Sequence, residues 1–336
     1  MNEQVTVVRD DFSTHLEATI KRAVPGATGI AHLRRLSGGA SQETWSFEAV
    51  GRGFTRKLIL RRAPGGDRVH DRAVGLEKEA ALIGLARAAG VPEPEVVHVL
   101  EPGDGVGRGF VVAFLEGETL GRKIVRDDIF AEARKTLAHR CGEVMAKIHH
   151  LPLSSLPPLR TATAEERLNE LHQNYKMAGT PRPVFALAFE WLRTRLPKAP
   201  VPPKLVHGDF RNGNLIIGPE GLRAVLDWEL AHLGDPIEDL GWICIAPWRF
   251  SGEGPAGGFG TREQLVAGYE AGGGGKVDME HLKWWEVLGS LSWGVSCGAM
   301  FLSFRSGVDR TIERAMIARR ASENEIDLLH LLAPRG

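Results

Sequence analysis

The side chains of this sequence best suited to chemistry are concentrated in Leu205-Val206-His207-Gly208-Asp209-Phe210-Arg211-Asn212-Gly213-Asn214 and, a little further on, Asp227-Trp228-Glu229. Between them, Leu215-Ile216-Ile217 and Leu222 to Leu226 flank Gly218-Pro219-Glu220-Gly221, two short apolar runs joined by turn residues, which reads as a hairpin. Pairing about that turn makes Asn214 and Asp227 near neighbours across the ladder, roughly 5 Å apart. An amide oxygen and a carboxylate form a hard-oxygen set that suits Mg²⁺, which keeps its waters and completes its shell with phosphate oxygens. Asp209, in the loop leading into this site, is then placed to accept the proton of an incoming hydroxyl. Each residue alone is common turn or strand-end punctuation. Their order around one hairpin is what argues for chemistry.

The elements that must position these residues fall into two groups. Leu33 to Leu36, Glu43 to Val50 and Leu58 to Leu60 read as short strands broken by Ser37-Gly38-Gly39 and Gly51-Arg52-Gly53. Helical spacing follows from Val74 to Ala89 and stops at Gly90-Val91-Pro92, and two more strands, Glu95 to Leu100 and Phe110 to Phe114, close the sheet. After Glu116-Gly117 helices dominate, with Ala131 to His149 and Pro183 to Arg195 the clearest, then a Gly-rich loop from Ser251 to Gly260 and two or three terminal helices. The expected organisation is an N-terminal nucleotide-binding lobe over 1–115 and a C-terminal catalytic and acceptor-binding lobe over 116–336.

Composition narrows the classes. The chain has 336 residues, 43% of them hydrophobic, enough for one large core or two lobes. Lys and Arg number 42 against 42 Asp and Glu, so no electrostatic footprint for a nucleic-acid backbone is present, and no nucleic-acid partner is expected. Cys141, Cys244 and Cys297 lie far apart, which suggests neither disulfides nor a thiolate metal site and fits a reducing cytoplasm. Met1 to Asp11 lacks the apolar core of an export signal. The uncharged stretch Val287 to Phe304 has spanning length but is diluted by Gly and Ser, so a buried core helix is expected rather than a membrane span.

His207-Gly208-Asp209, then Asn214, then Asp227-Trp228, resemble the catalytic loop and metal segment of the protein-kinase-like superfamily, in its aminoglycoside phosphotransferase and choline kinase branch. There the loop reads His-Gly-Asp-x-x-x-x-Asn. The resemblance implies an α+β, bilobal fold and ATP-dependent, Mg²⁺-assisted phosphoryl transfer to a small-molecule hydroxyl, with Asp209 catalytic and Asn214 and Asp227 on the metal. A kinase-like small lobe also needs a base on its third strand and an acid on the next helix. Arg61 and Glu79 fill those places, Glu79 sharing a face with Leu82, Ile83 and Ala86, where an inward carboxylate wants a cation. Arg62, Glu77 and Lys78 read as ordinary solvated charges. By the same resemblance, the loop Ser37, Gly38, Gly39, Ala40 and Ser41 covers phosphate, and Phe114 and Leu115 form the adenine-binding hinge. Asp239, in Gly234-Asp235-Pro236-x-x-Asp239-Leu240, fixes the catalytic loop, and His207 is a packed strut. His149 and His150, adjacent on a helix, point different ways and read as structural.

The ending of the chain, with Trp242, Trp248-Arg249-Phe250 and Trp284-Trp285-Glu286, looks closest to bacterial phosphotransferases similar to the kinase-like domain fused to acyl-CoA dehydrogenases. That suggests a hydroxylated acyl compound as acceptor. The segments Trp242 to Phe250 and Lys283 to Leu302 are the expected walls of its pocket. An aminoglycoside or amino-alcohol acceptor would want acids such as Glu229, Glu238 and Glu286, which form no run. A catalytically silent nucleotide-binding module is the alternative of another class. Gly294-Val295-Ser296-Cys297-Gly298, with Asp309 and His330 downstream, matches a hydrolase nucleophile motif, but a helix-length context without a preceding buried strand argues against it.

Overall fold

Alternation of apolar and polar residues gives the early strands one buried face. In the computed structural model, which describes residues 11–38, 42–63, 73–179, 181–197 and 201–333, the chain divides into two compact units, Met1–Ala88 with Glu93–Glu116, and Ala89–Pro92 with Gly117–Gly336.

The first unit contains α1 (Asp11–Ala23), β1 (Ala27–Gly38), β2 (Glu43–Gly51), β3 (Phe54–Ala63), α2 (Leu76–Ala88), β4 (Val96–Val99) and β5 (Arg108–Ala113). The strands join antiparallel in the order β1-β2-β3-β5-β4. Phe47 and Ala49 of β2 and Leu58 and Leu60 of β3 point into a core that Leu16, Ile20 and Val24 complete. The helix α1 is not among the elements expected from the sequence. Phe12, Leu16 and Ile20 mark its apolar stripe in a largely polar segment, and such a helix owes its stability to packing on the sheet rather than to its own propensity.

The second unit contains α3 (Gly121–Arg126), α4 (Ala131–His149), α5 (Ala164–Ala178), α6 (Pro183–Thr194), β6 (Lys204–Val206), β7 (Leu215–Gly218), β8 (Gly221–Val225), β9 (His232–Gly234), α7 (Ile237–Cys244), α8 (Arg262–Ala271), α9 (Met279–Ser306), α10 (Ile312–Ala318) and α11 (Ala321–Leu332). Two ribbons, β7-β8 and β6-β9, are set among the helices. The second ribbon is three residues on each side, too short to leave a periodic signal. Helices α4 and α8 meet backbone to backbone. A Cβ on Gly142 would lie 2.1 Å from the Leu265 carbonyl oxygen and one on Gly268 only 1.9 Å from that of His139.

Among the described residues α9 is the one helix long and apolar enough to cross a membrane. Its residues Leu282, Trp284, Trp285, Val287, Leu288 and Leu291 are buried in the unit's own core. The expected burial fails towards the C-terminus, where Phe301 is 45% exposed. The Gly-x-Ser-x-Gly motif lies wholly inside α9, so no strand-to-helix elbow exists there. All three cysteines are free and buried, and burial pushes the Cys141 thiol up to about 12 and that of Cys297 up to about 11, which leaves them inert.

Candidate active site

The hairpin β7-β8 is built on the pairs Leu215 with Val225 and Gly218 with Gly221, with a bulge between Ile216 and Ile217. The register continues one step further, where Leu226 N–H donates to the Asn214 carbonyl at 2.8 Å. Asn214 therefore pairs with Leu226, and Asp227 is its diagonal neighbour rather than its direct one. The bulge adds one residue to β8, which moves the partner of Asn214 from Val225 to Leu226 and so brings Asp227 one position nearer. Asp227 adopts the left-handed conformation, φ 71°, which turns the chain sharply as it leaves the strand.

Asp209 stands at the centre of the loop between β6 and β7. Its Oδ1 accepts from Trp242 Nε1 at 2.7 Å and from Arg211 Nε at 3.0 Å, and its Oδ2 accepts from Asn214 Nδ2 at 2.6 Å. Burial pushes the Asp209 carboxyl above its ordinary value and the nearby charge of Asp227 adds to the rise, while Arg211, Trp242 and His207 oppose it. With its amide nitrogen donating to Asp209, Asn214 keeps Oδ1 turned elsewhere, and no donor among the described residues reaches it. No group of three or more His, Cys, Asp or Glu side chains forms a metal cage among the described residues. An amide oxygen and one aspartate fit a hard divalent ion that takes the rest of its ligands from water and phosphate, and Mg²⁺ is such an ion.

The loop's backbone is held from below. Asp239, fully buried on α7, accepts from His207 N–H at 2.8 Å through Oδ2 and from Gly208 N–H at 2.9 Å through Oδ1. His149 Nε2 lies 3.0 Å from the same Oδ2, so that nitrogen carries the proton, because a carboxylate only accepts. His149 Nδ1 meets the Tyr269 hydroxyl at 2.9 Å, which ties α4 and α8 to the loop. Burial raises the Tyr269 phenol, and the charges of Asp239 and Asp235 add to this. Gly208 has φ 82°, and a Cβ there would meet the Leu230 carbonyl oxygen at 2.5 Å, so both backbone angle and space demand glycine. His207 accepts from Asp209 N–H at 3.2 Å and packs on Trp228, ring centroids 4.6 Å apart. Burial lowers its pKa against the pull of Asp239, Asp209 and Asp227, which suits a neutral strut.

In the first unit, Arg61 Nη1 donates to Glu79 Oε1 at 2.6 Å, and Glu79 is 1% exposed. Gln42 accepts a second bond from Arg61 at 3.1 Å. Arg62 corrects the expectation of a solvated charge: its guanidinium lies 3.6 Å from the centroid of the Phe12 ring and donates to Glu43 and to the Val106 carbonyl. The unforeseen helix α1 supplies that covering ring. Glu77 is exposed and paired with Arg108. Ser37 and Gly38 end β1, opposite Thr44 and Glu43, while Gly39, Ala40 and Ser41 lie outside the described residues. Phe114 follows β5, with its N–H donating to the Lys57 carbonyl at 3.0 Å, and Leu115 comes next, half-buried.

Residues that spacing did not single out are Arg211, which with Trp242 grips Asp209, Asn212, whose Nδ2 donates to the Gly257 carbonyl at 2.7 Å, and Tyr269, the partner of His149. Through Asn212 the Gly-rich loop after α7 buttresses the loop that carries Asp209. No periodicity announces contacts between residues so distant in sequence. Of the three acids offered for a cationic acceptor, two are held in internal pairs, Glu238 with Arg167 and His232 and Glu286 with Arg249 and Arg262.

Residues 32–285 match the sequence model of the phosphotransferase enzyme family. Acyl-CoA dehydrogenase family member 10 of Mus musculus is 29% identical over 227 residues, covering 66% of this chain but only 21% of its own length, so the chain spans about a fifth of that relative. A putative aminoglycoside phosphotransferase from Ralstonia eutropha superposes with a TM-score of 0.73 at 21% identity, covering 95% of this chain and 97% of its own. A choline/ethanolamine kinase family protein from Mesorhizobium loti gives 0.64 at 20% identity, over 96% and 94% of the two chains.

Proposed function

We propose that this chain, which belongs to the phosphotransferase enzyme family, transfers the γ-phosphoryl group of ATP to the hydroxyl of a hydroxylated acyl compound or similar partly apolar alcohol. The observation that carries this is the Asp209 carboxylate, hydrogen-bonded to Asn214 with Asp227 beside it, on a loop whose backbone Asp239 anchors. Asp209 orients the acceptor hydroxyl and takes its proton as the new P–O bond forms. A carboxyl raised by burial is a better base than a solvated one. Arg211 and Trp242 hold the carboxylate in one rotamer, so the geometry is set before the acceptor arrives.

Asn214 Oδ1 and the Asp227 carboxylate would hold Mg²⁺, which when bound spreads the negative charge of the phosphate oxygens. Arg61, kept in place by Glu79 and Gln42, grips phosphate oxygens through its guanidinium. Phe114 and Leu115 serve as the adenine-binding hinge. The acyl preference is supported by the engagement of Glu238 and Glu286 in internal ion pairs, which leaves them unsuited to a polycation.

The test is ATP-dependent phosphorylation of hydroxy acids, hydroxyacyl thioesters, amino alcohols and aminoglycosides, read by product mass. Asp209→Asn is expected to lower turnover about a hundred- to ten-thousandfold while nucleotide binding persists. Undiminished turnover in that variant would remove Asp209 from its role. Transfer to aminoglycosides alone would replace the acyl reading by an antibiotic one.

A further inference from the structure

Resting on the phosphotransferase reading, we propose that the non-reacting end of the acceptor carries a carbonyl or carboxylate oxygen, read by the indole N–H groups of Trp248 and Trp293. Three indoles run from the catalytic carboxylate. Trp242 donates to Asp209, the Trp248 ring lies 5.4 Å from that of Trp242, and Trp293 follows at 4.8 Å. The guanidinium of Arg211, which also holds Asp209, sits 4.4 Å over the Trp248 ring. The ladder is therefore continuous with the reacting centre, and all of it lies within the second unit.

Trp242 has spent its N–H on Asp209. The Nε1 atoms of Trp248 and Trp293 are buried and have no hydrogen-bond partner among the described residues. Buried donors are almost always paired, so two orphans on neighbouring rings need an explanation. An indole nitrogen can only donate, so the group that completes either must accept: a carboxylate, ester or thioester oxygen, never an ammonium. The charges agree. Arg211 faces the ladder, and Arg249, next in sequence to Trp248, is bonded to Glu286 and feels Asp327, so those acids answer a cation already present. A competing account is that each N–H rests on the face of the adjoining tilted ring, a weak contact. That account predicts no selectivity for the remote group.

Three probes of equal chain length separate these readings: 6-hydroxyhexanoate, its methyl ester and 6-aminohexan-1-ol, which share a primary hydroxyl and differ only at the far end. The carboxylate or the ester should exceed the amine at least tenfold in kcat/KM. Trp248→Phe and Trp293→Phe, which keep an aromatic ring and delete the N–H, should each shrink that ratio by about two- to tenfold through KM, the size expected for one hydrogen bond. Preference for the ester over the carboxylate assigns recognition to the N–H groups alone, and the reverse adds the guanidinium. Equal or better use of the amine, or ratios unmoved in both variants, overturns the proposal and leaves the phosphotransferase reading standing. Titration of the three probes into Asp209→Asn, followed by tryptophan fluorescence, tests recognition without chemistry. Saturable ester or carboxylate binding lost in the Trp248→Phe background upholds the proposal, and failure of the wild type to transfer to any of the three would then count against the hydroxyacyl acceptor of the proposed function rather than against the indole contact. Absence of such binding overturns it.

Discussion

Replacing Asp239 by Asn tests whether one buried carboxylate sets the catalytic loop. Asp239 accepts three hydrogen bonds, two through Oδ2 from His207 N–H and His149 Nε2 and one through Oδ1 from Gly208 N–H. Asparagine has one acceptor oxygen. Placed at the Oδ2 position it keeps two bonds, now without charge assistance, and turns its own NH₂ against the Gly208 N–H. One buried donor left unpaired costs about 1–3 kcal/mol, and weakening the other two brings the loss to about 2–4 kcal/mol. A domain with about 5–15 kcal/mol of stability survives that. The displaced loop carries Asp209 with it, and a misplacement of about 1 Å lowers turnover about a hundredfold. Urea unfolding gives the first quantity and steady-state kcat the second. His149→Gln, combined with Asp239→Asn, should show a coupling energy of about 0.5–3 kcal/mol, because the two groups share a bond. An unchanged urea midpoint together with kcat within a factor of two of wild type would refute the anchoring role.

Three further outcomes follow from the same geometry. Arg61→Ala removes the ion pair to the buried Glu79 carboxylate and should cost about 3–5 kcal/mol, while Arg61→Ala with Glu79→Ala should be no worse than the single change; additive losses would contradict the pairing. For Glu238, burial alone would raise the carboxyl, but the charges of Arg167 and His232 outweigh it and hold the group at about 2 against an ordinary 4.5. Its contribution, about 3 kcal/mol, is present above pH 4.5 and disappears as pH falls towards 2, so Glu238→Gln should be less stable at pH 7 with a flatter acid limb in a pH series of unfolding midpoints. Gly268→Ala drives a methyl to 1.9 Å from the His139 carbonyl oxygen; despite alanine's better helix propensity the variant should lose about 1–3 kcal/mol, and an unchanged Tm would show that α4 and α8 can separate freely.

The chemistry was more legible than the scaffold. Asp209, Asn214 and Asp227 sit close together in sequence on a loop and a tight hairpin, so local rules of turn and pairing bring them to one place, with only the bulge at Ile216 shifting the register. Glu79 was readable because helical spacing turns it inward with Leu82, Ile83 and Ala86, and Arg61 because the family resemblance calls for a base on that strand. Helix α1 and the ribbon β6-β9 were not, since a sparse apolar stripe and three-residue strands carry too little pattern to rise above their surroundings. Arg62 misled for the same reason, because the ring that covers it belongs to α1.

By itself the sequence determined which side chains the proposed transfer would draw on: a carboxylate for the hydroxyl, an amide and a second carboxylate for a hard ion, a guanidinium for phosphate. Only the tertiary structure decided what those atoms are fastened to. Asp239 reaches the loop from more than thirty residues away, His149 reaches Asp239 across 90 residues, Tyr269 reaches His149 across 120, and Trp242, on the same helix as Asp239, closes on Asp209. Such contacts are selected by packing and by the cost of leaving buried polar groups unpaired, and neither leaves a period or a spacing that a linear reading can detect.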